Sequence, residues 1–196
     1  MKLEALILSA VLAIPMAMMG QSMGNQNTNT NAYPKSNKNM TEMSTSDQHF
    51  LCTLAQEDHS EIDLARLALK KSTNPKVQEY AKSKILAADP SMEQQARTIA
   101  QQDNENISNT TNKMEKNECD KLSKLSGTQF DKEYMKYEAW KQEKDLGSVR
   151  QEITSTKNQT VKDYARKEEP PVKQAAQSAE QIATSLGVQT TASSKY

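Results

Sequence analysis

The chain has 196 residues, 35% of them hydrophobic and 5% aromatic, which is enough for one domain of ordinary size with a single modest core. Lysine plus arginine and aspartate plus glutamate both number 25, so no net field draws the protein towards nucleic acid, an anionic membrane or a polyanionic substrate. Five glycines and six prolines, amid abundant Ala, Lys, Glu, Gln and Leu, make a composition of helices rather than of strands.

Met1-Lys2 is followed by an apolar run from Ala5 to Met19, broken only by Ser9 and Pro15, and then by Gly20, Gln21, Ser22 and Gly24. This pattern predicts a cleavable signal peptide over residues 1–24. The run is shorter than the ~20 residues of a membrane-spanning helix and no second one follows; no Cys stands directly after it to carry a lipid anchor. The expected address is therefore export, to the periplasm or the outer cell envelope. A retained N-terminal anchor is the alternative. Residues 25–46 are Asn, Thr, Ser, Met and Lys without apolar periodicity, and read as a disordered linker. The sequon Asn39-Met40-Thr41 and three others downstream are ascribed to chance in so Asn-rich a chain.

From residue 47 to 187 the sequence predicts helices. The first starts at Ser46 or Asp47 as N-cap and runs to about Ser72, where Thr73-Asn74-Pro75 ends it and opens the next. The second runs from Pro75 towards Asp103, kinked at Pro90. A polar loop follows, then a short helix from Asn112 to Leu125, stopped by Ser126-Gly127. A long helix spans Thr128 to about Thr156, and the last runs from Asn158-Gln159-Thr160 to Leu186-Gly187. Pro170-Pro171 are expected to bend or interrupt it, and residues 188–196 to form a loose tail. Four long helices with short connections favour an antiparallel four-helix bundle with one extra short helix.

Each long helix carries an inward stripe. Phe50, Leu54, Ala65 and Ala68 share an arc with Glu61 at its centre; Val77, Ala81, Ile85, Ala88, Met92, Ala96 and Ile99 form an apolar stripe. Met135, Ala139, Leu146, Val149 and Ile153 form a heptad-like seam with Gln142 inside it, and Ala165, Val172, Ala175, Ala179, Ile182 and Leu186 form the last, with Glu168 inside it.

Inward acids on facing helices are the raw material of a bundle metal site, which makes Glu61 and Glu168 the candidate metal ligands. The competing assignment is a buried acid satisfied by a Lys, Arg or backbone partner; for Gln142 it is a buried residue that sets helix register. No Glu-x-x-His occurs, and His59 points ~200° away from Glu61 around the helix, towards solvent or a neighbouring helix edge. Trp140, Tyr134 and Tyr137 are expected to pack against a neighbouring helix. Cys52 and Cys119, the only cysteines, could pair in an oxidising compartment, stabilising the fold by roughly 4 kcal/mol; two small unpaired thiols are the alternative. The sequence has no Cys-x-x-Cys, phosphate loop, Gly-x-Ser-x-Gly or Ser/His/Asp set, so it gives no support to redox, nucleotide or hydrolase chemistry.

Asp47-Gln48-His49-Phe50, Ala55, the run Glu61 to Ala68, Asn74-Pro75-Lys76-Val77-Gln78-Glu79-Tyr80-Ala81, and Leu125 to Tyr134 with its Ser-Gly-x-x-Phe-Asp-x-x-Tyr core together resemble the ferritin-like family of exported bacterial proteins known as domain of unknown function 4142. The resemblance covers about Asp47 to Ile182 and implies a ferritin-like bundle. It also implies a metal site built on one acid and three histidines. Matched residue by residue, the acid is Glu61, but the histidine positions fall on Ala88 (or Asp89, one register away), Gln142 and Ala175. The expectation is a non-enzymatic exported bundle with a degenerate metal site and no cofactor, acting through its surface on a protein partner or as a homo-oligomer. The alternative is a weak divalent-metal or oxidative-stress protein using Glu61, Glu168 and either Asp89 or Glu143. A third reading, an envelope chaperone or adaptor, would need an exposed apolar groove.

Overall fold

The computed structural model describes residues 41–111 and 113–190; the signal-peptide prediction over residues 1–24, most of the linker and the last six residues lie outside them. All regular structure among the described residues is helical. The elements are α1 (Thr45–Lys71), α2 (Pro75–Tyr80), a π-helical stretch (Ala81–Ile85), α3 (Asp89–Gln102), α4 (Lys113–Ser123), α5 (Gly127–Ser155) and α6 (Gln159–Ser185).

Helix α1 begins earlier than the sequence suggested. Ser44 is its N-cap, its hydroxyl accepting from the Asp47 N–H while the Asp47 carboxylate accepts from the Ser44 N–H. Two orphan donors are thereby satisfied together, so Asp47 is the third helical residue and not the cap. The end of the expected linker is tied down as well: the Asn158 side-chain amide donates to the Thr41 carbonyl at 2.6 Å, and the Met43 N–H donates to Asp103.

The second helical segment breaks before Pro90. The Leu86 N–H reaches back to Ala81 and the Ala88 N–H to Ile85, so the ladder changes pitch over residues 81–88 before α3 starts. Proline has no N–H for residue 86 and its ring would press on that carbonyl, so the chain is already turned one helical turn upstream. Through α6, by contrast, the helix continues past Pro170 and Pro171. The two carbonyls they leave unbonded belong to Arg166 and Lys167, both exposed, where water can satisfy them. Helix α6 ends in a left-handed Gly187 (φ 74), with the Val188 N–H on the Ala183 carbonyl and the Gly187 N–H on Thr184. This closing motif fastens the first residue of the expected tail.

The three-residue connections 72–74 and 156–158 make α1 antiparallel to α2–α3, and α5 antiparallel to α6. Cross-contacts set the rest. Glu57 meets Lys144 and Glu61 meets Lys141, so α1 and α5 run antiparallel; Lys84 meets Gln174 and Gln95 meets Lys167, so α2–α3 and α6 do too. The order is up, down, down, up, with residues 103–126 crossing over between the two parallel segments. Short α4 lies on that crossover and is held by Lys71 on the Ser123 carbonyl and Lys121 on Glu133.

Two apolar clusters fill the ends of the bundle. One holds Leu64, Tyr80, Ile85, Leu122, Phe130, Tyr134 and Ala179; the other holds Phe50, Leu51, Leu54, Ala96, Val149 and Tyr164. Between them lies a layer rich in charge, drawn from residues 57–61 of α1, Asp89 of α3 and residues 138–145 of α5. Cys52 packs on the second cluster and Cys119 on the first, and both are free. Cys119 lies by Asp63, which is eleven residues beyond Cys52 on α1, about 16 Å at helical rise. Both thiols are free, the second of the two alternatives that the sequence left open.

Candidate functional site

The charged layer is centred on Lys141, which has no solvent exposure. Its ammonium lies 2.8 Å from Glu61 Oε1 and 3.4 Å from Glu57 Oε2, and in direct contact with Asp145 Oδ2 one turn further along α5. Three N–H donors thus face three carboxylates. The second oxygen of Glu61 accepts from the Gln142 amide at 2.5 Å, and the second oxygen of Glu57 from Lys144 at 2.6 Å. One turn before Lys141 on α5, Glu138, itself fully buried, accepts from the Tyr80 hydroxyl at 3.0 Å.

Charge balance sets the protonation of the layer. Burial opposes the Lys141 charge, but Asp145, Glu61, Glu57 and Glu115 outweigh it and hold the ammonium well above its ordinary pKa. Burial likewise pushes Glu57 up, and Lys141 and Lys144 together bring it below the usual carboxylate range. One ammonium cannot serve every acid. Burial, then the charge of Glu61, raises Asp58, Asp89 and Glu138 well above their ordinary values; Asp145 is also raised, by burial and by Glu57 and Glu61 against the pull of Lys141. Burial brings Glu115 and Glu168 to about 7.

A cavity of about 10 Å³, room for about one water molecule, adjoins the layer and is lined by Asp58, Glu61, Ala88, Asp89, Gln142, Asp145 and Ala175 among others. The four positions singled out from the sequence therefore converge: Glu61, Ala88 with Asp89, Gln142 and Ala175. Ala88 and Asp89 both line the cavity, Asp89 buried and Ala88 half-buried. Glu168 is buried too, on α6, but is not on the cavity wall; Glu143 is exposed and takes no part. His59 sits on the α3 edge with Nδ1 3.3 Å from Glu93. Tyr134 and Tyr137 are buried and Trp140 packs against the core, as expected.

These side chains do not fit a histidine–carboxylate metal centre. Ala88 and Ala175 offer no donor atom, and both oxygens of Glu61 are taken by Lys141 and Gln142. Among the described residues, no three His, Cys, Asp or Glu side chains are grouped so as to hold a metal ion. Sequence reasoning missed Glu57, Asp58, Glu138, Lys141 and Asp145 because it followed apolar residues. Their signal was angular: at ~100° per residue Glu138, Lys141 and Asp145 fall within about 60° of one another, beside the Met135–Gln142–Val149 seam.

Fold and site together define an all-α bundle with an acid-rich, lysine-centred internal layer. The chain belongs to the domain of unknown function family DUF4142, whose family model matches residues 32–182. Comparison with curated proteins and with solved structures finds no match.

Proposed function

We propose that this protein is an exported, ferritin-like, non-enzymatic bundle of the periplasm or outer cell envelope, whose metal centre is degenerate and whose action is through its surface. The up-down-down-up order with one crossover supports the ferritin-like assignment, and the apolar run Ala5 to Met19 supports export. One observation carries the reading of the centre: Glu61, Ala88, Gln142 and Ala175 line one cavity, yet two are alanine and the other two are bonded to each other. Among the described residues no helix is long and apolar enough to cross a membrane, and the only large hydrophobic side chain that is exposed is Met114. The chaperone reading would have to use the open groove of about 360 Å³ lined by Pro75, Tyr80, Lys84 and Ile182 among others.

The test is elemental analysis of the protein purified from cell envelopes without chelator, with mass spectrometry of its N-terminus. The reading predicts sub-stoichiometric Fe, Mn and Zn and a chain shortened near residue 24. Near-stoichiometric metal lost on Glu61→Ala, or an intact chain in the cytosol, contradicts it. A second reading, a weak carboxylate-rich divalent-metal protein, has one observation in its favour: Asp58 Oδ2, Asp89 Oδ2 and Asp145 Oδ1 are buried without a hydrogen-bond partner, and all three residues line the cavity.

A further inference from the structure

A cation ringed by carboxylates from facing helices is how a bundle holds a metal ion, and here the cation is part of the chain. Lys141 reaches Glu57 and Glu61 across the α1–α5 interface and Asp145 on its own helix, with no exposure to solvent. Its neighbours are arranged around that charge. Gln142, the next residue, donates to the Glu61 oxygen that the ammonium does not use, and Lys144 takes the corresponding oxygen of Glu57. Glu61 and Asp145 are shared between the ammonium and the wall of the small cavity, so a metal ion bound to them would stand next to a fixed positive charge.

We propose that the Lys141 ammonium is a tethered internal cation that takes the place of a metal ion, so that the carboxylate layer assembles without any metal supply. This deepens, and rests on, the reading of the centre as degenerate. The lysine stem enters from α5 and fills the space between α1 and α5, and the three carboxylates converge on its tip. Shortening the side chain to alanine then leaves a buried hollow whose three carboxyl groups have lost the cation they share, with Lys144 still on the outer oxygen of Glu57, the chemical complement of a primary alkylammonium or of a hard divalent ion that prefers oxygen ligands.

The experiment is thermal unfolding of the mature protein and its Lys141→Ala variant in n-propylammonium chloride, MnCl2, or tetramethylammonium chloride at equal ionic strength. The variant is expected to unfold about 10 °C below the wild type. Saturable recovery of at least about half that loss is expected with n-propylammonium or Mn2+, but not with tetramethylammonium, whose bulk and lack of N–H donors exclude it; the wild type should respond to none of them. Equal recovery in all salts, or none, overturns the proposal. Should Lys141→Ala fail to fold, its refolding yield with and without n-propylammonium gives the same decision. Lys141→Met supplies an independent arm: adding Glu61→Gln to it should restore part of its lost thermal stability, and no gain overturns the proposal. Failure here is distinguishable from failure of the underlying reading, which is overturned only by stoichiometric metal in the wild type.

Discussion

Where the N-terminus of α1 meets the C-terminus of α5, Glu152 and Asp47 form a carboxyl pair separate from the Lys141 layer. Burial, reinforced by the hydrogen bond and charge of Asp47, raises Glu152 to about 7; Asp47, though burial pushes it up, is held below its ordinary value by bonds from Thr156, Glu152 and Ser44. The pair therefore shares one proton near neutrality. A raised Glu152 contributes stability that is complete below about pH 4.5 and is lost as pH rises through about 7. The rise from 4.5 to about 7 would be worth at most about 3 kcal/mol, and solvent near the pair reduces this to about 1–2 kcal/mol. Glu152→Gln keeps a hydrogen-bond donor towards Asp47 and cannot ionise. Thermal unfolding of both proteins between pH 4.5 and 8 should show the variant gaining on the wild type as pH rises, by roughly 2–8 °C at the alkaline end. Other raised acids, such as Glu115 and Glu168, act in both proteins and cancel in the difference. Parallel pH profiles for the two proteins would refute the assignment.

Removing the hydroxyl that Tyr80 donates to Glu138 by Tyr80→Phe should cost about 1–3 kcal/mol in urea unfolding, because the Glu138 carboxyl is left short of a buried partner; a change within error would place the Glu138 proton donor elsewhere. Asn158 caps α6 through the Val161 N–H and also holds the Thr41 carbonyl, so Asn158→Ala should cost about 1–2 kcal/mol. It should also speed hydrogen exchange at residues 159–161, and unchanged exchange there would contradict the capping role.

Much of the fold was legible in the sequence because caps and stripes are local. Asn74-Pro75, Ser126-Gly127 and Leu186-Gly187 mark helix ends within a residue or two, and the inward arcs of α1 and α6 are buried as the periodicity requires, apart from half-buried Ile182 and Leu186 at the end of the last. The misplaced cap on α1 arose because Ser44, Ser46 and Asp47 are all good caps; the three-residue spacing of Ser44 and Asp47 was the deciding signal. Of the bend or interruption expected at Pro170-Pro171, the interruption is not made, because the cost of proline depends on whether the freed carbonyls reach water, which is a tertiary fact. The site was half legible. Convergence of Glu61, Gln142, Ala175 and the 88–89 pair followed from a shared inward face, whereas Lys141 was passed over because lysine is almost never fully buried unless paired. Recognising it required seeing Glu57, Glu61 and Asp145 meet at one point.

The central claim is that a charged ammonium occupies the core, and side-chain NMR of lysine-labelled protein reads it directly. The account predicts one slowly exchanging 15Nζ ammonium resonance, absent from Lys141→Met, that keeps its charged chemical shift to at least pH 9 without added metal. A neutral-amine shift at pH 7, or exchange as fast as that of the surface lysines, would contradict it.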